Sequence, residues 1–368
     1  MKLTVARGEL IESLAVVNRG LSSRSTLPIL SGVLVSASSS GEVVMESTDL
    51  EVSVRHTLSL ASVEREGSVV VPGRLFSDIV RSLPEAAVTL SVEDGAVAVS
   101  CLQSSFTVRT LPAEDFPKFP HVEADKEIEL PADRISAVVR HVGKAVSRDE
   151  TRPVLTGILM TVEGTVFKMV ATDSYRLAVK ETVLPAEAAQ SVEMVVPGKV
   201  MEEISKMASQ KDVVSVGIAE NQAVFSFAGT QIVTRRMEGT FPNYRQLIPK
   251  DSETKVLVPR EEFLAAVKRV SLLAQHNTPL RITISQEDQT LGLSATTHDV
   301  GDASEDLMVK VEGADVEIAF NHIFLADGLA VAEGETVELG VVSPLKPGTI
   351  TSAEDEGFLY LLMPVRLG

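Results

Sequence analysis

The 368-residue sequence has no tryptophan, three tyrosines, six histidines and one cysteine. No apolar run approaches the roughly 20 residues needed to cross a bilayer as a helix. Each shortage removes a class of function. A single cysteine, Cys101, leaves no internal disulfide framework and no multi-cysteine metal site, and its expected place is the core of a strand. With so few large aromatics there is little on which unpaired bases could stack, which disfavours a single-strand reader. Cations are outnumbered, 34 Lys and Arg against 51 Asp and Glu, and a net charge of −17 argues by itself against phosphate binding. Net charge is a sum, however, and local clusters can outvote it. The opening residues, MKLTVARGELIESL, carry charges from the start and contain no signal-type apolar segment, so a cytoplasmic location is expected.

Recognisable catalytic spacings are also missing. There is no GxxxxGK[ST] phosphate loop, no GxGxxG after a strand, no HExxH and no GxSxG. His56, His121, His141, His276, His298 and His322 are scattered, with no pair at the i, i+4 spacing of a helical metal site. The sequence therefore points to a protein that is not an enzyme and needs no metal or cofactor.

What the sequence does contain is a long repeat. Leu27-Pro28-Ile29-Leu30-Ser31-Gly32 answers to Arg152-Pro153-Val154-Leu155-Thr156-Gly157, and more faintly to Thr278-Pro279-Leu280. The three prolines stand 125 and 126 residues apart, and Asp49, Asp173 and Asp299, each close behind a threonine, stand 124 and 126 apart. A period of this length means triplicated domains rather than solenoid units, and 44% hydrophobic residues suffice to core them. The boundaries read from the repeat are 1–122, 123–252 and 253–368.

Each repeat has the same order of elements. A short strand (Leu3 to Val5, Ile128 to Leu130) precedes a helix whose apolar residues recur at helical spacing, as Leu10, Leu14 and Val17 do, and in the third repeat, which begins near Lys255, Val258-Pro259 precedes the helix. Alternating runs such as Val33, Val35 and Val43, Met45 then predict antiparallel strands joined by tight turns. A second helix follows Val71-Pro72-Gly73 in the first repeat, Val196-Pro197-Gly198 in the second and Ala319-Phe320-Asn321 in the third. Two helices and about eight strands per repeat make an α+β layered fold. The predicted helices include Leu75 to Leu83, Ala132 to Val146 and Glu261 to Leu273.

Cations are not spread evenly on these helices. With Ile135 as the centre of the apolar face, Val138, Val139, Val142 and Val146 cluster around it, while Arg140, Lys144 and Arg148 fall on the far side. On the second helices Arg74 and Arg81 recur 125 residues later as Lys199 and Lys206. The pattern weakens elsewhere: Glu12 and Arg19 stand outward on the first helix, and His322 and Leu329 replace the lysines in the third repeat. Lysine and arginine on helix flanks suit phosphate and read no bases. The repeated aspartates are the one candidate acid–base set, but the repeat disperses them one per domain, and an Asp after a strand commonly bonds its own turn.

Together the triplicate, the LPIL-G run, Ala171-Thr172-Asp173-Ser174-Tyr175-Arg176-Leu177-Ala178, Phe241-Pro242-Asn243-Tyr244 and Met363-Pro364-Val365-Arg366-Leu367 resemble the bacterial DNA polymerase III β subunit, the sliding-clamp family. The resemblance covers the whole chain. It implies three tandem clamp-type domains, each with two helices packed on antiparallel sheets, and a head-to-tail dimeric ring with helices inside and sheets outside. It implies a processivity factor that encircles duplex DNA without sequence specificity and tethers the replicative polymerase, the clamp loader and repair proteins through short clamp-binding motifs. No membrane partner is expected, and the location implied is cytoplasmic and nucleoid-associated. The DNA-contacting set is then Arg24, Arg74, Arg81, Arg140, Lys144, Arg148, Arg152, Lys199 and Lys206. The peptide groove between the second and third domains is Leu155, Thr172, Ser174, Tyr175, Arg176, Leu177, Pro242, Leu247, Leu361, Met363, Pro364, Val365 and Arg366. Ser174-Tyr175 stands where the family often has Gly-His, and Gln246 where it commonly has arginine. At the subunit seam the resemblance puts Phe106, Val108 and Arg109 on one side and Leu272, Leu273, Asp302 and Glu305 on the other. A peptide-binding scaffold with no DNA role is the alternative reading, and the recurrence of Arg74 and Arg81 as Lys199 and Lys206 speaks against it.

Overall fold

A computed structural model describes residues 1–22, 27–58, 60–274, 279–297 and 300–366. Arg24, His276, Thr278, His298, Asp299 and Leu367 lie outside the described residues. Among the described residues the chain forms six α-helices: α1 (Arg7–Val17), α2 (Gly73–Ser82), α3 (Ala132–Val142), α4 (Gly198–Met207), α5 (Arg260–Val270) and α6 (His322–Val331).

Two predicted helices end a turn early. The first helix of the second repeat stops at Val142 and tightens into a 3-10 turn over Gly143–Ala145, where glycine weakens the α-helix. Helix α5 stops at Val270 and continues as Ser271–Leu273, where the Ser271 hydroxyl donates back to the Lys268 carbonyl at 3.0 Å and competes with the helical ladder. The second helices start differently in the three repeats. In the third, Asn321 caps α6, its side-chain oxygen accepting from the Ile323 and Phe324 amides at 2.9 and 3.4 Å.

Alternating sequence becomes alternating burial. Val88 and Leu90 in Ala87–Glu93, and Val97, Val99 and Cys101 in Ala96–Cys101, face the core, while their neighbours face out. The hairpin between these strands turns on Asp94 and Gly95, whose φ values of 50° and 72° are what a two-residue turn matched to strand twist requires. The glycine of the repeated LPxLxG run has a packing reason: a Cβ at Gly157 would sit 2.5 Å from Val195 Cγ1.

The chain divides into two compact units, residues 1–133 with 203–236, and residues 134–202 with 237–368. The first unit holds a five-stranded sheet in the order Ala61–Arg65, Lys2–Ala6, Ala87–Glu93, Ala96–Cys101, Ser104–Arg109. It also holds an eight-stranded sheet in which Thr230–Arg235 pairs antiparallel with Val52–Leu58, Val52 opposite Thr234 and His56 opposite Thr230. Helices α1 and α2 pack on each other, and α1 on Val43–Thr48 and Val52–Leu58. The second unit holds a nine-stranded sheet in which Arg176–Val183 pairs with Phe358–Leu362, and a four-stranded sheet with Gly301–Met308 at its edge. Helices α5 and α6 pack on each other there.

Both large sheets are built across repeats. In each, the strand after a Thr-Asp turn pairs with the last strand of the following repeat: Val52–Leu58 with Thr230–Arg235, and Arg176–Val183 with Phe358–Leu362. The middle repeat thus contributes strands to both units. Among the described residues the third such pair is not made, and Ser104–Arg109 and Gly301–Met308 are each the outer strand of a sheet.

Candidate functional site

The apolar part of the candidate groove grows from the strand pair in the second unit. Leu177 lies opposite Leu361, and both belong to a buried cluster with Leu159, Val170, Val179, Val195 and Tyr244, edged by Val154, Phe241 and Ile248. Leu177, Leu361 and Leu155 are therefore floor rather than open wall.

The Thr-Asp turn shapes one rim. The Thr172 hydroxyl donates to the Arg176 carbonyl at 2.7 Å and accepts from the Ser174 amide at 3.1 Å. Asp173 Oδ1 accepts from the Tyr175 and Arg176 amides at 2.9 and 3.0 Å. These bonds hold Ser174 at φ 77°, a left-handed conformation that favours glycine. The first repeat builds the same turn: Asp49 accepts from the Glu51 and Val52 amides at 3.0 and 2.8 Å, and Leu50 has φ 76°. Asp49 and Asp173 are turn-holders, and neither carboxylate is directed at a second acid.

The turn throws Tyr175 outward, 61% exposed, its ring stacked on Phe324 with centroids 6.4 Å apart. Its carbonyl accepts from the Met363 amide at 2.9 Å, and the Val365 amide donates to the Ala319 carbonyl at 2.8 Å. The C-terminal residues Met363, Pro364, Val365 and Arg366 are thereby strung between Tyr175 and the strand Val316–Phe320, with Met363, Val365 and Arg366 exposed. Two concavities open here. One, of about 480 Å³, is lined by Arg152, Pro153, Val154, Leu155, Ser174, Glu238, Gly239 and Pro242. The other, of about 440 Å³, is lined by Ile318, Ala319, Pro344, Leu345, Val365 and Arg366, with Glu317.

Arg176 is only 9% exposed and is not a wall of either concavity. Its guanidinium bonds Asp173 at 3.0 Å, Asp327 at 2.6 Å and the Tyr360 hydroxyl at 3.1 Å, and lies over the Phe324 ring at 4.3 Å. Burial works against its charge, but Tyr360 and Asp327 outweigh it and raise its pKa, while burial pushes the Tyr360 phenol up. Arg176 is a strut under Phe324 and hence under Tyr175. The family resemblance put it in the groove; here Asp173, Asp327 and Tyr360 draw its guanidinium inward.

Arg152, assigned by the resemblance to the DNA-facing loop, is exposed and also lines the larger concavity, donating to Ser174 Oγ at 2.8 Å and to Asp149 Oδ2 at 3.1 Å. The remaining described cations of the DNA set, Arg74, Arg81, Arg140, Lys144, Arg148, Lys199 and Lys206, are all exposed. Arg140 forms an ion pair with Glu333, exposed on both sides and therefore weak.

At the predicted seam, Phe106 is exposed on the edge strand Ser104–Arg109, while Val108 is buried in its own sheet's core. Leu272 is 83% exposed and Leu273 half-buried. Arg109 and Asp302 are exposed; Glu305 is already engaged by Arg269, with Nε 2.9 Å away. Pro242 and Leu247 stand exposed beside buried Tyr244. Sequence reasoning missed Glu238, Gly239, Pro344 and Leu345. The last had a signal, an apolar side chain in the proline-flanked run Ser343-Pro344-Leu345-Lys346-Pro347.

Comparison with known proteins gives one answer along the whole chain. The family described as DNA polymerase III beta subunit, N-terminal domain, matches residues 1–120; the central domain of that subunit matches 129–243 and its C-terminal domain 245–366. The beta sliding clamp of Streptomyces coelicolor is 36% identical over 379 residues, covering all of both chains. The crystal structure of the DNA polymerase sliding clamp from Bacillus subtilis superposes with a TM-score of 0.94 at 30% identity, again over all of both chains. A sliding clamp from Bartonella birtlesii bound to griselimycin has the same TM-score, identity and coverage.

Proposed function

The chain belongs to the DNA polymerase III beta subunit family, and we propose that it works as a ring of two copies joined head to tail around duplex DNA. It is a non-catalytic processivity factor of DNA replication, a sliding clamp that tethers the replicative polymerase, the clamp loader and repair proteins by short peptide motifs. Its three domains are 1–122, 123–252 and 253–368, and its place of work is the cytoplasm, on the nucleoid.

The observation that carries the ring is the strand pairing. Two of three equivalent joins are made inside the chain, and the strands that would make the third are both left at sheet edges. Unpaired edges invite another chain. Carrying the register of the two internal joins to the third puts Asp302 of one copy opposite Val108 of the next, and Ser304 opposite Phe106. Arg109 then adjoins Asp302, with Glu305 kept by Arg269. Leu272 and Leu273 complete the seam.

Arg74, Arg81, Arg140, Lys144, Arg148, Lys199 and Lys206 face the DNA. Exposed Lys and Arg on an acidic protein make weak, sequence-independent phosphate contacts, which suits sliding, because enclosure and not affinity keeps the ring in place. Partner peptides lie against Tyr175, Pro242, Leu247, Met363, Pro364, Val365 and Arg366, over Leu155, Thr172, Leu177 and Leu361. Apolar walls with a few polar directors and an adaptable methionine suit a site shared by several partners. The griselimycin held by the Bartonella clamp supports a ligand-binding surface in this fold.

The test is retention on nicked circular DNA against the same DNA linearised, after loading. Loss from the linear form and retention on the circle is expected. Equal retention on both refutes enclosure.

A further inference from the structure

The strand pair joining the second and third repeats is fastened at both ends. At one end sits the Arg176 cluster. At the other, where Lys180 lies opposite Phe358, is a second polar cluster, buried at His141, Lys180 and Asp355, that the groove does not use. It gathers His141 of α3, Lys180 of the strand, Asp355 of the loop before Phe358, and Glu333 just beyond α6. His141 is 1% exposed and Asp355 equally hidden.

Hydrogen-bond geometry fixes where the protons are. His141 Nδ1 lies 2.7 Å from the Ala137 carbonyl oxygen, which only accepts, so Nδ1 carries a hydrogen. His141 Nε2 lies 3.0 Å from Asp355 Oδ2. Asp355 already accepts from Lys180 Nζ at Oδ1, 2.5 Å, and from the Glu333 amide at Oδ2, 3.1 Å. Burial by itself would raise the Asp355 carboxyl, but the His141 and Lys180 donors outweigh it and hold it below its ordinary value. It is a carboxylate, so the hydrogen between the two side chains belongs to Nε2. The other groups facing the ring are Glu333, with Oε1 4.0 Å from Nε2 and itself paired with Arg140, and the Phe358 ring at 5.2 Å.

We propose that His141 is carried as an imidazolium and that its proton latches helix α3 to the loop of the third repeat that carries Asp355. His141, Glu333 and Asp355 also have the composition of a metal site, and they are the one such group among the described residues. Lys180 already supplies a cation to Asp355 there, so the cluster carries its positive charge on the protein itself. This inference does not depend on what the chain binds.

The test uses the full-length 15N-labelled protein. At neutral pH both ring nitrogens of His141 should resonate as protonated, whereas a pyridine-like nitrogen overturns the proposal. Asp355→Asn should convert the ring to a neutral tautomer and speed amide exchange in residues 178–182 and 358–362 by about a hundredfold or more, because Asp355 accepts from His141, Lys180 and the Glu333 amide. Unchanged ring protonation or unchanged exchange in that variant refutes the latch. Should Asp355→Asn not fold, Lys180→Met, which removes a competing cation and leaves both acceptors of the ring, should keep both nitrogens protonated; a neutral ring overturns the assignment. Zinc added to the wild type should leave the His141 signals in place, and a shift of those signals would replace the latch with a metal site.

Discussion

Leu272→Asp separates assembly from folding. The side chain is 83% exposed in the single chain, so replacing it removes almost no packing from the monomer, and the melting temperature of the isolated subunit should be nearly unchanged. In the seam the same leucine would be covered. Burying a leucine contributes about 1.5–3 kcal/mol, and forcing an unpaired carboxylate into that place adds a desolvation cost of about 2 kcal/mol or more. A ring carries two seams, but breaking it into subunits means losing both, so the penalty counts twice. Even one seam's share of about 3–5 kcal/mol raises the dissociation constant by a factor of about a hundred to several thousand. Sedimentation velocity across a concentration series should show the variant as monomer where the wild type is dimer. Glu305, already engaged by Arg269, and Val108, buried in its own sheet, cannot compensate. An unchanged dimer would refute the assignment of this edge to the seam, whatever else the chain does.

Three further outcomes follow from the groove and the join. Tyr175→Ala removes an exposed ring stacked only on Phe324, so clamp-motif peptide affinity should fall by about tenfold or more with little change in melting temperature; calorimetric titration that finds full affinity would move the hot spot elsewhere. Ser174→Gly relieves a left-handed backbone at the groove rim and should stabilise the fold by about 0.5–1 kcal/mol in denaturant unfolding, even though it loses the bond from Arg152; a destabilised variant would show that bond to matter more than the strain. Asp355→Asn should cost about 3–5 kcal/mol near neutrality, because it strands Lys180 and His141. Since the folded pKa of Asp355 is depressed, its contribution is complete above the ordinary carboxylate range and is lost as pH falls through the depressed value, so wild type and variant should converge in acid. Melts that keep a constant gap down to low pH would contradict this.

The proposed groove is read from two short runs, Thr172 to Leu177 and Met363 to Arg366, which the bond from the Met363 amide to the Tyr175 carbonyl brings side by side. Its depth was not legible in the sequence. Tyr175 stands on the turn before the strand and stays exposed, whereas Arg176 opens the strand and is buried against Asp327 and Tyr360, contacts that exist only once the strand has paired with Phe358–Leu362. Nor was the second environment of Arg152 visible in sequence: Asp149 and Ser174 draw its guanidinium to the lip of a concavity.

Local chemistry and periodicity, which need only near neighbours, sufficed for the triplicate, the order of two helices and alternating strands in each repeat, the turn role of Asp49 and Asp173, and the outward cations of α2, α3 and α4. Long-range pairing decided the rest. Only the folded chain shows that repeats are joined by completing one another's sheets, that Ser104–Arg109 and Gly301–Met308 are outer strands among the described residues, and that His141, Lys180 and Asp355 meet at the join. Those residues share no motif and no spacing, and what binds them is a buried charge balance that exists only once strand Arg176–Val183 has found strand Phe358–Leu362.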